Sequence, residues 1–367
     1  MRFLIIITFF TFHCSAQLDS VRNDWSISLK PKSGFLAAHR ATMSHLPKER
    51  IWGAELSIYK RLYNSTSWSK SYKNPFIGMT IYGSTLGNKA ILGFGAGSYA
   101  FIEFPMSRKD RKNCLTAKLS AGLGYVSKIF SQSQNPKNVA TSSHLNALLC
   151  LGLQGRWQFH PNHCLIYSMD MTHFSNGSSK VPNLGLNMPF LGLGYGYTFA
   201  HQKVSYCAPK TFQKTPFFSN WKLTLVGIAS FKEMFPTGGK VYTVYALNSF
   251  VSKQFKSKVG MEFGLDFISK QSLFNYKPYI PKTQWSIFQM GTYAAYVLPL
   301  NKLRFVLGMG VYLKDRYDSD DEIYHRVGMR YYCSNGLELN LVLKSHWAKA
   351  DYVEYGIGYT FGKKQLK

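Results

Sequence analysis

The sequence predicts an all-β protein, an antiparallel transmembrane β-barrel of about sixteen strands in two tandem eight-strand halves. Three observations predict it. Long segments alternate strictly between apolar and small or polar residues. The composition is rich in aromatics (16%) and glycine (30 of 367 residues) and poor in charge (17%). The N-terminus reads as an export signal.

The alternation is clearest from Leu145 to Phe159. The odd positions Leu145, Ala147, Leu149, Leu151, Leu153, Gly155, Trp157 and Phe159 oppose Asn146, Leu148, Cys150, Gly152, Gln154, Arg156 and Gln158. Successive side chains of a strand point to opposite faces, so this segment has one greasy wall and one largely polar wall. From Val259 to Phe267, Val259, Met261, Phe263, Leu265 and Phe267 oppose Gly260, Glu262, Gly264 and Asp266. The stretches Leu303 to Leu313 and Leu115 to Tyr125 alternate likewise, with Lys118 and Ser120 on the small-polar side. A soluble sandwich also alternates. It rarely places large apolar groups on every outer site while lining the other face with Gly, Lys, Glu and Gln, which is the membrane-barrel arrangement.

About eight such segments precede residue 200 and about eight follow residue 218, each of ~10 residues, the length a spanning strand needs. Both sets end alike: Leu193-Gly194-Tyr195-Gly196-Tyr197-Thr198-Phe199 matches Tyr355-Gly356-Ile357-Gly358-Tyr359-Thr360-Phe361. Met171-Thr172-His173-Phe174-Ser175 corresponds more loosely to Lys344-Ser345-His346-Trp347-Ala348. This pattern predicts a tandem duplication, with one half over 17–201, a polar hinge over 202–216, and a degenerate repeat over 217–367. Two closures stay open, one barrel of sixteen strands or two of eight. The single barrel is favoured, because one chain closing two separate membrane barrels is unusual.

Met1-Arg2-Phe3, the apolar run Leu4 to Phe12, and Cys14-Ser15-Ala16 before Gln17 form the three parts of a secretory signal, so residues 1–16 are expected to be removed after Ala16. A run of about ten residues is too short for a spanning helix. Thr11-Phe12-His13 lacks the small residue that a lipoprotein anchor at Cys14 requires. No later run of about 20 apolar residues occurs, and a mean hydropathy of −0.15 suits alternating strands. The net charge is +26, from 44 basic and 18 acidic residues, which implies polyanionic surroundings. Export disfavours nucleic acid and favours phosphorylated glycolipid, and much of the charge lies between strands, as in Arg108-Lys109-Asp110-Arg111-Lys112. The five cysteines beyond Cys14 (Cys114, Cys150, Cys164, Cys207 and Cys333) are odd in number and show no metal-ligand spacing, so they read as small apolar fillers. Histidines form no HxxxH or HExxH pattern, and no structural metal is expected.

One segment departs from its own pattern. From Leu165 the odd row runs Leu165, Tyr167, Met169, Met171, His173, Ser175, so an imidazole and a hydroxyl continue the lipid-facing wall. Ionisable groups facing lipid are costly and are functional candidates by default. Residues two apart on a strand have Cα atoms about 6.5–7 Å apart on one face. That spacing lets a base reach a nucleophile. A strand that simply ends at the water interface would show the same residues. Asp170 has even parity and is expected inside.

His173-Phe174-Ser175-Asn176, followed by Pro182-Asn183-Leu184-Gly185-Leu186-Asn187, resembles the signature of the lipid A 3-O-deacylases (the PagL-like family), outer-membrane barrels that remove an ester-linked acyl chain from lipopolysaccharide. The resemblance is strongest from His173 to Phe199, and relatives with a second half are usually labelled acyloxyacyl hydrolases. It implies Ser175 as nucleophile and His173 as general base. The family's third member, a glutamate, falls on Asn187. An amide carbonyl can still accept the imidazole N–H and fix its tautomer, but it offers no negative charge to the imidazolium. Side-chain amides of Asn176 and Asn183, with backbone N–H groups near Gly177, are the candidate oxyanion donors.

His346 lies on the inward row with Glu338, Asn340 and Lys344, and Ala348 stands at the serine position, so no second catalytic centre is expected. Glu338, Lys344, His346 and Glu354 read as a lumen network. The function expected is an outer-membrane esterase of a Gram-negative cell that needs neither calcium nor cofactor. Its substrate and surroundings would be lipid A or lipopolysaccharide. The alternative is a non-catalytic pore or scaffold with a vestigial site, since a sixteen-strand barrel would leave an aqueous lumen. A phospholipase using the same dyad is a third reading. The pattern sets no oligomeric state.

Overall fold

The computed structural model describes residues 25–63, 67–106, 112–199, 219–276, 279–315, 321–347 and 349–361. The expected signal peptide and the hinge expected at 202–216 lie outside the described residues. The first eight strands are β1 (Trp25–Gly34), β2 (Ile51–Arg61), β3 (Phe76–Thr85), β4 (Phe94–Pro105), β5 (Asn113–Val126), β6 (Leu145–His160), β7 (His163–Ser175) and β8 (Leu186–Thr198). The second eight are β9 (Lys222–Glu233), β10 (Val241–Lys256), β11 (Val259–Lys270), β12 (Phe288–Leu300), β13 (Leu303–Lys314), β14 (Ile323–Tyr332), β15 (Leu337–His346) and β16 (Lys349–Phe361). No helix among the described residues is long and apolar enough to cross a membrane.

Every neighbouring pair is antiparallel, and the chain closes twice. β8 returns to β1, with Ser26 opposite Thr198 and Leu29 opposite Tyr195, while β16 returns to β9, with Tyr355 opposite Ala229. The fold is therefore two closed eight-stranded barrels, which corrects the favoured single sixteen-strand closure. The physical reason lies in the inward rows. An eight-strand cylinder is just wide enough to be filled by side chains, and these rows carry groups that span it. Lys32 on β1 bonds Glu55 on β2 (2.7 Å) and Asp170 on β7 (2.5 Å). Lys118 on β5 reaches Glu55 (3.1 Å), and Arg156 on β6 pairs with Glu103 on β4. In the second barrel Arg326 bridges Asp266 and Glu354, Arg330 meets Glu262, and Asp351 takes Lys232 and Lys270. In a wider cylinder these chains would leave charges in water rather than in pairs.

Glu55, Cys150 and Asp170 come close enough together to hold a metal ion. The Lys32 ammonium already meets both carboxylates. The expected lumen network of the second barrel exists, but Arg326 and Arg330 are its centres. Lys344 lies over the Tyr324 ring at 3.8 Å, and His346 bonds Tyr312 at 3.1 Å. The four described cysteines outside the signal are free thiols.

The outer walls are apolar, with Leu191 68% and Met169 60% exposed. Among the described residues the barrels meet where the Tyr72 hydroxyl donates to the Pro299 carbonyl (3.0 Å) and where the Val181 N–H donates to the Glu233 carboxylate (2.7 Å). At the end of the first barrel where β7 stops, the connecting loops are packed rather than open. Leu36, Met43 and Leu46 from the β1–β2 loop join Leu86, Leu92, Ala140 and Leu186 in one buried cluster. Asn138 ties this cap internally, its amide donating to the Lys128 carbonyl (2.9 Å).

Candidate active site

Phe174 decides which way its neighbours face. Its ring is fully buried beneath the loop cap, 6.1 Å from that of Tyr82. The bare backbone of Gly124 makes room, since a Cβ there would lie 2.4 Å from the Phe174 ring. With Phe174 locked inward, strand geometry turns His173 and Ser175 outward. Both are half-buried by the loop that follows.

His173 stands directly opposite Asn187 in the β7–β8 register, so the two are a cross-strand pair on one face. The ring Nδ1–H donates to Oδ1 of Asn187 at 2.6 Å. That bond puts the proton on Nδ1 and leaves the lone pair on Nε2, the arrangement a general base needs. The ring packs against Gly185, whose φ is +77° and whose Cβ, if present, would lie 2.8 Å from ring atom Cε1. Glycine is required there twice over, by conformation and by space.

Ser175 ends β7, and its Oγ accepts from the Gly177 N–H (3.2 Å) and from Nδ2 of Asn183 (3.0 Å). Asn183 is oriented by the Asn176 N–H, which donates to its Oδ1 (3.1 Å). The side-chain amide of Asn176 is turned elsewhere, donating to Oγ of Ser143 (3.0 Å) and to the Lys180 carbonyl (3.1 Å). Gly177 and Asn183 thus direct donors at the serine oxygen, whereas Asn176 contributes through its backbone. Among the described residues, no hydrogen bond joins His173 to Ser175. Catalytic contacts of this kind commonly tighten only with substrate bound.

Three participants were not visible in the sequence pattern. His39, in the β1–β2 loop, accepts at Nδ1 from Nδ2 of Asn187 (3.0 Å). Glu233, from the second barrel, holds the Val181 N–H through one oxygen and the Gly238 N–H (2.8 Å) through the other. Val353 on the outer wall of β16 crowds Gly177, where an added Cβ would lie 2.3 Å from its methyl. Each is far from the motif in sequence, and periodicity within one strand carries no signal for it. Asp170, as its parity predicts, faces the lumen and takes no part.

Comparison with known proteins adds two matches. A family profile described as "Lipid A 3-O-deacylase (PagL)" covers residues 52–198, and one described as "Acyloxyacyl hydrolase, C-terminal domain" covers residues 219–364. A search of curated proteins finds no match. Among solved structures, the chain is similar to Neisserial surface protein A (13% identity, 48% of this chain and 97% of that one, TM-score 0.30). It is also similar to a mutant of the Rh. blastica porin (10% identity, 92% of this chain and 100% of that one, TM-score 0.20).

Proposed function

The chain belongs to the lipid A 3-O-deacylase and acyloxyacyl hydrolase family, and from that premise we propose that it is an outer-membrane esterase acting on lipid A through Ser175 and His173. The observation that carries the reading is the 2.6 Å bond from Nδ1 of His173 to Asn187, which leaves a basic Nε2 on the wall that also bears Ser175.

In the proposed reaction Nε2 of His173 takes the proton of Ser175 as Oγ attacks the ester carbonyl of a membrane-embedded glycolipid. The carbonyl oxygen becomes an oxyanion, stabilised by the Gly177 N–H and the Asn183 amide. Collapse expels the sugar or hydroxyacyl oxygen, which takes the proton back from His173, and leaves an acyl-serine. Water, deprotonated by the same imidazole, then releases the fatty acid. The acyl chain would lie along the apolar wall of β6 to β8, beside Leu149, Met171 and Leu191. Exposed basic loops would receive the phosphates, consistent with the net charge of +26.

Exposed aromatics near strand ends, among them Trp25, Trp157, Phe159 and Tyr195, support a membrane setting, because such girdles mark the interfaces of outer-membrane barrels. Charge pairs and buried rings that span both cylinders among the described residues speak against the pore alternative. A scaffold with a vestigial site is the remaining rival, and Asn187 is the residue that favours it. Free fatty acid released from purified lipopolysaccharide in detergent discriminates the two. The esterase reading expects release by the wild type and none by Ser175→Ala or His173→Ala. Equal release by both variants would rule the mechanism out, and phospholipid offered in place of lipid A would separate a phospholipase.

A further inference from the structure

A carboxylate at position 187 would present two equivalent oxygens, and either could accept from His173. An amide presents two unlike ends. Rotated by half a turn, Asn187 would aim Nδ2–H at the imidazole, which could then only accept at Nδ1. Its proton would move to Nε2, and the ring could no longer take a proton from Ser175. A site with asparagine at this position therefore needs something to hold the amide in one sense.

We propose that His39 is that positioning residue. Its Nδ1 accepts from Nδ2 of Asn187 at 3.0 Å, which leaves Oδ1 of the same amide to face His173 at 2.6 Å. The three side chains form one directional chain of hydrogen bonds, from Nδ1–H of His173 into the amide and from the amide into His39. The loop is fixed where this requires. The Ala37 N–H donates to the Asn187 carbonyl (2.9 Å), and Met43 and Leu46, just beyond His39, are completely buried. His39 itself is exposed, so its loss removes a hydrogen bond and little packing. The inference rests on the acyl-transfer reading and adds to it the group that sets the tautomer of the base.

The test is a comparison of His39→Ala in two backgrounds. With Asn187 present, H39A frees the amide to rotate, and kcat is expected to fall about tenfold, the upper range for one lost neutral hydrogen bond. In Asn187→Asp no orientation remains to be lost, so H39A is expected to change kcat by less than about threefold. His39→Asn, whose side-chain oxygen can take the place of Nδ1, is expected to restore most of the activity. Nitrogen-15 spectra of the His173 ring, assigned by comparison with His173→Gln, report the tautomer without turnover. They should show an Nδ1–H ring in the wild type and a shift toward Nε2–H in H39A. Equal losses in the wild-type and N187D backgrounds, or an unchanged tautomer in H39A, would overturn the proposal. If Ser175→Ala proves as active as the wild type, the esterase reading falls, and the tautomer alone then decides the role of His39.

Discussion

Replacing Asn187 with aspartate is the sharpest perturbation of the site, because the two side chains have the same shape and differ in charge. The Nδ1–Oδ1 separation of 2.6 Å places a carboxylate about 4 Å from the centre of the imidazolium that the proposed attack by Ser175 would form. Unit charges at that distance interact by about 4 kcal/mol at an effective dielectric of about 20. The pair lies at a half-buried rim beside exposed His39, and screening there reduces the benefit to about 1–2 kcal/mol. At about 1.4 kcal/mol per tenfold, Asn187→Asp should raise kcat by about 5–30-fold. Because the substrate's ground state carries no imidazolium, KM should change little. The assay is the initial rate of fatty-acid release in detergent, with folding checked by circular dichroism and by the heat-dependent gel mobility of closed barrels. A folded Asn187→Asp protein with unchanged or lower kcat would refute the claim that this residue faces the charge developing on His173.

Three further outcomes follow from the same geometry. Gly185→Ala would add a methyl 2.8 Å from the His173 ring at a φ of +77°; activity should fall at least about tenfold, with barrel closure on gels unchanged. Gly177→Ala meets both a positive φ of 63° and the Val353 methyl. It should lower kcat, and Val353→Ala should recover part of the loss if the methyl rather than the backbone dominates. Glu55→Ala would leave Lys30, Lys32 and Lys118 without their shared carboxylate; breaking such a buried network costs about 3–5 kcal/mol, readable as a lower urea midpoint.

The wall structure was legible because a strand has a period of two. The rows predicted for β5, β6, β11 and β13 face the sides expected, and Lys118, Glu262 and Asp266 sit inside on parity alone. Closure was not legible. Whether β8 pairs with β1 or continues into β9 depends on the register between strands more than a hundred residues apart, and no local pattern encodes it. The inward residues held a clue in their size and charge, since arginine and tyrosine rows fill a narrow cylinder, but their partners become apparent only when the cylinder is closed.

The site divides in the same way. The placement of His173, Ser175 and Asn187 on one outer wall was legible from parity and from the resemblance their motif carries, because a cross-strand pair needs only two adjacent strands. That of His39 and Glu233 was not. The first comes from a loop 148 residues away from Asn187, and the second from the other barrel. Asn176 shows the limit of reading roles from residue type: an amide beside the candidate nucleophile suggests an oxyanion donor, yet its hydrogens serve Ser143 and Lys180.

Covalent trapping with a long-chain alkyl phosphonate, followed by peptide mapping, tests the central claim most directly. A single adduct on Ser175 is expected, formed slowly when His173 is replaced by alanine and absent from Ser175→Ala. An adduct on another residue, or none on a folded protein, would contradict it.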